Sequence, residues 1–168
     1  QARPHMRLAI NSNLICKPKI LNKLIKKSQD IKKFHIYTSA ECYKDQQEYV
    51  RGGFVWKVWS GNMERIINEA NYEGLHIMMT INSLCLFSIT EFLDHVYKLK
   101  MIKGTKSPTV TLNLLRFPSF QSPLALPDHI KIYVRKKLID WYALQEDKQW
   151  WTGIERANIE RLIDYIDH

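Results

Sequence analysis

The stretch Leu75-His76-Ile77-Met78-Met79-Thr80-Ile81-Asn82 decides the fold, because its alternate side chains differ in polarity. Successive side chains of an extended strand point to opposite faces. One face therefore receives Leu75, Ile77, Met79 and Ile81. The opposite face receives His76, Met78, Thr80 and Asn82. This pattern is typical of a strand that packs on a core with one face and meets polar groups with the other.

Three further segments, 7–13, 33–39 and 109–114, alternate between apolar and polar side chains in the same way. Helical patterns separate the four segments, which favours βα units and a parallel sheet. Parallel strands that are buried on both faces form continuous apolar runs. Since these strands do not, the pattern indicates a barrel lumen or a cleft that holds a polar ligand. An antiparallel α+β sheet with one face in water is the alternative.

We therefore predict an α/β fold, a partial (β/α) barrel of about four parallel strands with helices on its outer face. Helices are expected after Ser88 and at residues 18–31, 55–70, 128–144 and 153–166. Pro18 suits the first turn of its helix, and Ser88 with Glu91 matches a capping box. The helical periodicity places Ile20 and Ile154 on the buried stripes of the first and last helices.

The length of 168 residues fits one domain with a sizeable core. Residues 1–5 are interpreted as a cloning remnant, and residues 6–117 carry the βα repeats. Residues 118–168 form a helical extension at the C-terminal end, with two helices. The segment 42–53 is polar, and Gly52-Gly53 breaks it.

The net charge of +8 includes one lysine-rich helix face. No RNA-binding signature or recognition-helix motif accompanies this charge, so a solubilising surface is favoured over a nucleic-acid interface. No apolar run reaches the roughly 18 residues of a membrane span. The cysteines, Cys16, Cys42 and Cys85, are odd in number and far apart, which predicts free thiols, a reducing cytoplasm and no metal site.

Ligands of parallel α/β folds bind at the carboxyl ends of the strands. This rule places one set of polar side chains around a common mouth: Asn11, Ser12, Asn13, Ser39, Glu41, Thr80, Asn82, Asn113 and Arg116. Such groups can hydrogen-bond hydroxyls, a carboxylate or an ammonium group. We expect no catalytic residue, because His35 and His76 lie early in their strands and no cysteine lies beside a base in the sequence.

Several of these segments, in this order, resemble radical SAM enzymes, and most of all the group with a twitch-type C-terminal region. The resemblance rests on Ser12-Asn13-Leu14, Ser39-Ala40-Glu41, Arg51-Gly52-Gly53, Thr80-Ile81-Asn82 and Leu115-Arg116-Phe117-Pro118. It implies that the chain corresponds to strands three to six of a radical SAM barrel.

The resemblance also implies roles for individual residues. Ser39 and Glu41 would meet the ribose or the amino group of S-adenosylmethionine, and Arg51 would meet its carboxylate. The remaining cofactor-binding residues would be Asn13, Thr80 and Asn82. The residues on the substrate side would be Asn11, Asn113 and Arg116.

The chain lacks two parts of the radical SAM pattern. It has neither the Cys-x3-Cys-x2-Cys loop that binds a four-iron four-sulfur cluster nor the Gly-Gly-Glu motif that holds the methionine amine. We therefore expect the full-length protein to use S-adenosylmethionine and the cluster, and this chain alone to be inactive and to hold no cofactor. Its partner would be the missing N-terminal half of the barrel, or a second copy that covers the open edge strand.

Two other functions stay open at this stage. The first is a non-catalytic module that binds S-adenosylmethionine or another nucleotide-like ligand in the polar mouth. The second is a basic scaffold that binds nucleic acid.

Overall fold

The computed structural model describes residues 6–145 and 148–167, and its four strands form one parallel sheet in chain order. The strands are β1 (Leu8–Asn11), β2 (Phe34–Ser39), β3 (Gly74–Ile81) and β4 (Thr109–Leu114). Every neighbouring pair runs in parallel, which confirms the predicted α/β class and overturns the antiparallel alternative. Because crossovers between parallel strands are right-handed and the order never reverses, the connecting helices lie on one face.

Six α-helices and three short 3₁₀ turns complete the described part of the chain. The helices are α1 (Pro18–Ser28), α2 (Asp45–Val50), α3 (Trp56–Glu69), α4 (Ile89–Lys103), α5 (Asp128–Ala143) and α6 (Gly153–Ile166). The turns are Cys85–Ser88, Ser119–Gln121 and Pro123–Ala125. None of the helices in the described ranges is long and apolar enough to cross a lipid bilayer.

The core lies between the sheet and the helices. The strands contribute alternate residues, fully or almost fully buried: Phe34, Ile36, Leu75, Ile77, Met79, Ile81, Val110 and Leu112. The helices α3 and α4 cover them with Trp59, Met63, Ile66, Phe92, Leu93 and Val96. The apolar face predicted from the alternation is therefore the helix-covered face, and it fixes the register of the strands.

The polar segment 42–53 contains the helix α2, which the sequence did not indicate because six residues are too few to show a helical period. Three local predictions are wrong. Ile20 is 60% exposed and Ile154 is 74% exposed, because they lie on the solvent side of first turns whose buried side carries Leu21 and Glu155. Ser88 is the N-cap residue of α4, but its side chain makes no capping hydrogen bond, so the predicted capping box is absent. Its hydroxyl instead accepts the amide N–H of Tyr43 at 3.0 Å and bonds Gln46.

The outer edge of β4 is closed by side chains of α6. The carboxylate of Glu155 accepts the amide N–H of Val110 at 2.9 Å, and the guanidinium of Arg161 donates to the carbonyl of Leu112. Glu155 also accepts the ammonium group of Lys100 at 2.9 Å, and both side chains are almost completely buried. Another strand could pair at this edge only if Glu155 and Arg161 released these two backbone groups.

The outer edge of β1 is open. The amides of Leu8 and Ser12 donate to the carbonyls of Lys33 and Tyr37, so the even-numbered residues of β1 pair with β2. The backbone groups of Ala9 and Asn11 consequently point outward, and within the described ranges they have no hydrogen-bond partner. Among the described residues, β1 therefore offers outward backbone groups to which a further strand can pair.

Candidate functional site on the open face of the sheet

The face of the sheet that the helices leave uncovered carries polar side chains in rows across the strands. The strand register defines these rows as Asn11–Tyr37–His76–Thr109, Ser39–Met78–Thr111 and Thr80–Asn113. All of these side chains are half-buried or exposed. A parallel sheet normally has both faces covered, so this exposed polar face is the first candidate for a ligand or partner surface.

A hydrogen-bonded chain of side chains crosses this face near the amino ends of the strands. Nε2 of His76 lies 3.1 Å from Nδ1 of His35, and Nδ1 of His76 lies 2.8 Å from the hydroxyl of Thr109. Nε2 of His35 lies 3.3 Å from the carboxylate of Glu73. If Glu73 accepts a hydrogen bond from the Nε2–H group of His35, the neutral tautomers follow in one direction, with His76 donating to His35 and Thr109 donating to His76.

The surroundings of the histidine pair fix its position. The ring of His76 stacks on Tyr37 with a centroid distance of 4.6 Å, and Arg7 donates to the hydroxyl of Tyr37 at 2.8 Å. Burial, assisted by the neighbouring His35 and Arg7, lowers the pKa of His76 and keeps its ring neutral. Gly74 leaves the necessary room, because a Cβ atom there would lie 2.4 Å from His76 and 2.5 Å from His35.

Several of the predicted mouth residues close their own turns. The side chain of Ser12 accepts the amide of Leu14 at 3.1 Å, and that of Asn13 accepts the amide of Ile15 at 3.0 Å. The side chain of Asn82 accepts the amides of Leu84 and Cys85, both at 3.0 Å. These are the local turns that such side chains favour, so the three polar side chains shape the loops after β1 and β3.

The structure joins Glu41 and Arg51 in one ion pair. Nη2 of Arg51 lies 2.6 Å from Oε1 of Glu41, and the amide group of Gln47 donates to Oε2 at 3.0 Å. Glu41 is only 2% exposed, whereas the side chain of Arg51 is about a third exposed. Glu41 therefore holds Arg51 in place, and the remaining N–H groups of the guanidinium have no partner in the described residues.

Four other predicted residues, Asn11, Ser39, Thr80 and Asn113, lie on the open face without a side-chain hydrogen bond to any described residue. Their hydroxyl and amide groups offer donors and acceptors toward the space in front of the sheet. The sequence thus located a polar surface, and the structure separates its turn-forming members from those that face outward.

Asn113 and Arg116 line one pocket of about 440 Å³ at the carboxyl end of β4. Its other walls come from α6, through Arg161, Asp164 and Tyr165. The sequence-based prediction missed these three residues, since they follow β4 by about fifty positions and only their packing on β4 reveals them. Their polar spacing on an amphipathic helix was visible, but it does not indicate which strand the helix would meet.

The cysteines do not provide a metal site. Burial, aided by the charge of Glu41, raises the pKa of Cys42 to about 12, and burial also raises the pKa of Cys85 and of Cys16. These thiols are therefore protonated, and none forms a disulfide. No group of three His, Cys, Asp or Glu side chains suited to a metal occurs in the described part of the chain. The residues present do not fit a four-iron cluster.

The chain matches no protein-family model, no curated protein and no solved structure in comparisons of sequence and fold.

Proposed function

We propose that the chain is the C-terminal part of a radical SAM-type barrel enzyme and supplies the polar wall that faces the cofactor and the substrate. The difference between the two edges of the sheet carries this proposal. An open, partial barrel built from two parts needs one edge that accepts a further parallel strand, and the outward backbone groups of Ala9 and Asn11 offer such an edge. It also needs an inner face that tolerates polar ligands, and the uncovered rows of Asn, Ser, Thr and His provide one.

The backbone of the loop after β1 supports the resemblance at one further position. In the radical SAM pattern a glycine follows the asparagine that corresponds to Asn13, and here the residue is Leu14. Leu14 adopts a φ angle of 57°, in the left-handed region that glycine favours and that costs a leucine about 1 kcal/mol. The side chain of Leu14 is completely buried, which offsets that cost. The backbone thus keeps a conformation suited to glycine although the residue has changed.

The side chains that are present indicate which part of the enzyme would hold the cluster and which part would bind the ligands. A four-iron cluster would be held by the other half, because the thiols of this chain are scattered and two of the three are buried. In a complete enzyme the cluster would supply the electron needed for reductive cleavage of the sulfonium of S-adenosylmethionine. The residues of this chain would bind and orient: Arg51, positioned by Glu41, offers free N–H groups to a carboxylate, while Ser39 and Thr80 offer hydroxyl groups.

The test is reconstitution. The chain is co-expressed with a polypeptide that contains the Cys-x3-Cys-x2-Cys half of the barrel, the complex is isolated and reduced without oxygen, and 5′-deoxyadenosine is measured. We expect a stable complex and a cofactor-cleavage activity that neither part has alone. A complex in which the three cysteines of the loop are replaced by serine is the control. A well-formed complex with an intact cluster but no cleavage would contradict the proposal.

A second candidate function is a binding module that needs no cluster. The observation that favours it is the set of outward-facing donors, Ser39, Thr80 and the free N–H groups of Arg51, which exist in the chain alone. Calorimetry of the isolated chain with S-adenosylmethionine tests it, with Arg51→Ala as the variant and Arg65→Ala, which breaks a surface ion pair on α3, as the matched control. Binding that only Arg51→Ala weakens would support the module.

A further inference from the structure

The pocket at the end of β4 contains charges of both signs that are not used by the fold. The side chains of Arg116 and Asp164 line the same pocket of about 440 Å³. No ion pair joins them, and within the described ranges neither side chain has a salt bridge or a side-chain hydrogen bond elsewhere. The third charge, Arg161, is engaged by the carbonyl of Leu112 and by the side chain of Asn158. Arg116 and Asp164 are thus a separated cation and anion without a structural role.

A second, mostly apolar pocket of about 630 Å³ adjoins the charged one. Arg116 and Tyr165 line both pockets, so the two lie side by side, and together we call them the cleft. The apolar part is formed by Phe120, Leu124 and Ala125. The side chain of Phe120 is 73% exposed, so most of its ring is free to contact a ligand. Each volume is within the range of small-molecule sites.

The segment that carries Phe120 is anchored to the sheet and to α6. The carbonyl of Gln121 accepts the amide of Ser83 at 2.9 Å, which ties the segment to the loop after β3. The hydroxyl of Ser122 lies 3.3 Å from that of Tyr165, which ties it to α6. The charged and apolar parts of the cleft are therefore held in a fixed relation by two elements of the fold.

We propose that this cleft binds a small molecule with a free α-amino-acid head and an apolar side chain. Arg116 receives the carboxylate, Asp164 receives the ammonium group, and the side chain lies against Phe120 and Leu124. A separated cation and anion in one pocket match a zwitterion better than they match a simple anion, which Asp164 would repel. The inference rests on the proposed function, because it names the class of ligand on the substrate side. The binding itself needs neither the cluster nor the other half of the barrel.

The test is an NMR titration of the isolated chain with three probes that share a phenyl ring. L-phenylalanine carries both charges, 3-phenylpropionate lacks the ammonium group, and phenethylamine lacks the carboxylate. We expect saturable shifts at the amides of Arg116, Phe120 and Tyr165 with L-phenylalanine. Each of the other two probes should bind about tenfold more weakly, since a charge-assisted hydrogen bond is lost.

Two variants assign the charges. Arg116→Gln should weaken L-phenylalanine and 3-phenylpropionate about tenfold and leave phenethylamine unchanged, and Asp164→Asn should produce the opposite pattern. Lys136→Gln and Asp140→Asn remove an exposed pair on α5 and are the matched controls, with no expected effect. Unfolding curves of all variants check that the fold is retained.

Three outcomes would overturn the inference. The first is the absence of saturable shifts up to the solubility limit of L-phenylalanine. The second is equal binding of all three probes, which would show an apolar cleft without charge recognition. The third is a response to S-adenosylmethionine without a response to L-phenylalanine, which would assign the cleft to the cofactor. Loss of the reconstituted cleavage activity would not affect these outcomes, so failure of the inference and failure of the proposed function are distinguishable.

Discussion

The two edges of the sheet differ in whether their outward-pointing backbone groups are hydrogen-bonded. At β4, the outward amide of Val110 and the outward carbonyl of Leu112 are bonded by Glu155 and Arg161 of α6. At β1, the corresponding backbone groups of Ala9 and Asn11 have no partner in the described residues. Exposed strand edges promote association. The fold has therefore ended its sheet at β4 and left it extendable at β1.

The closed edge is also the more costly of the two to build. Glu155 accepts hydrogen bonds from Lys100, Val110 and Thr152, at 2.9, 2.9 and 2.8 Å. Lys100 donates in addition to the carbonyl of Lys106 at 2.7 Å and lies 5.2 Å from the ring centroid of Trp151. A buried ion pair repays its desolvation only when its remaining groups are satisfied as they are here. The comparison teaches that the end of the sheet at β4 is specified by buried charge.

The largest expected effect follows from breaking the closed edge. Glu155→Ala leaves the ammonium group of Lys100 buried without its carboxylate and the amide of Val110 without an acceptor. We expect a loss of about 3–5 kcal/mol in the free energy of unfolding, measured by urea denaturation. Lys136→Ala, which breaks an exposed pair on α5, should change it by less than about 0.5 kcal/mol.

Two further measurements sharpen this result. In the double variant Lys100→Met with Glu155→Leu, both charges are absent, and much of the stability should return. Burial lowers the pKa of Lys100, and Glu155 acts in the opposite direction. Without Glu155 the buried ammonium group loses its proton more readily. The free-energy cost of burying it therefore falls as the pH rises toward 10.5. The deficit of Glu155→Ala should therefore shrink at alkaline pH. A loss below about 1 kcal/mol at pH 7 would show that the buried pair does not hold the edge.

A smaller effect is expected on the open face at Gly74, the first residue of β3. In Gly74→Ala the new Cβ atom would lie 2.4 Å from Nε2 of His76 and 2.5 Å from Nδ1 of His35. One or both rings must move, and the free energy of unfolding should fall by about 1–3 kcal/mol. The NMR signals of both imidazole rings should shift as well.

Gly61 offers a matched control for this substitution. It lies inside α3, and a Cβ atom added there meets no atom within 4 Å. Gly61→Ala should therefore stabilise the protein by about 0.5–1 kcal/mol, because alanine loses less conformational freedom in a helix. Equal effects of the two substitutions would mean that the histidine pair does not restrict the residue at the amino end of β3.

The sequence predicted the sheet well, because the alternation of apolar and polar residues along a strand follows from which side chains are buried. Residues such as Leu75, Ile77 and Met79 fall on the covered face, as the pattern required. The parallel direction followed from the intervening helical patterns. Both features depend on the local periodicity of the chain, which one sequence contains in full.

The sequence could not reveal which groups satisfy one another across long distances. Ser88 and Glu91 matched a capping box, but the hydroxyl of Ser88 is used by Tyr43 and Gln46. The true capping box lies at Thr152 and Glu155. The expected ligand contacts of Glu41 and Arg51 stay predictions, and their mutual ion pair was not foreseen, since either partner could have faced solvent. When several partners are equally suitable, tertiary contacts determine which one a side chain bonds.

The third prediction places the acid sensitivity of the fold in the helix layer, away from both edges. Burial among Tyr43, Trp56 and Trp59, with smaller contributions from Lys98 and Lys44, lowers the pKa of His95 to about 4. The unfolded chain binds the proton more tightly than the folded chain does. Stability should therefore be complete above pH 6.5 and decrease as the pH falls to 4, by about 1–2 kcal/mol after allowance for solvent screening.

His95→Asn tests this assignment in urea unfolding curves recorded from pH 7 to pH 4. The variant should lose most of the dependence on pH. His129→Asn removes an exposed histidine of α5 and should retain it. An unchanged dependence in His95→Asn would move the source to the histidine pair on the open face, where burial lowers the pKa of His76 in the same direction.

The smallest effect on the chain itself, and the most direct test of the open edge, is expected for Ala9→Pro. The amide N–H of Ala9 points outward and has no partner in the described residues, so proline removes a donor that the isolated chain does not use. The free energy of unfolding should change by less than about 1 kcal/mol. Val110→Pro removes the corresponding outward amide at β4, which Glu155 does use, and should cost several times as much.

In the reconstitution experiment the order reverses: Ala9→Pro should prevent the added half from pairing with β1, because a parallel neighbour needs that N–H group. Sedimentation of the isolated chain gives an independent measurement, since any self-association through the bare edge should disappear in the same variant. If Ala9→Pro assembles with the added half as well as the unmodified chain does, the sheet is completed elsewhere and the difference between its two edges does not direct assembly.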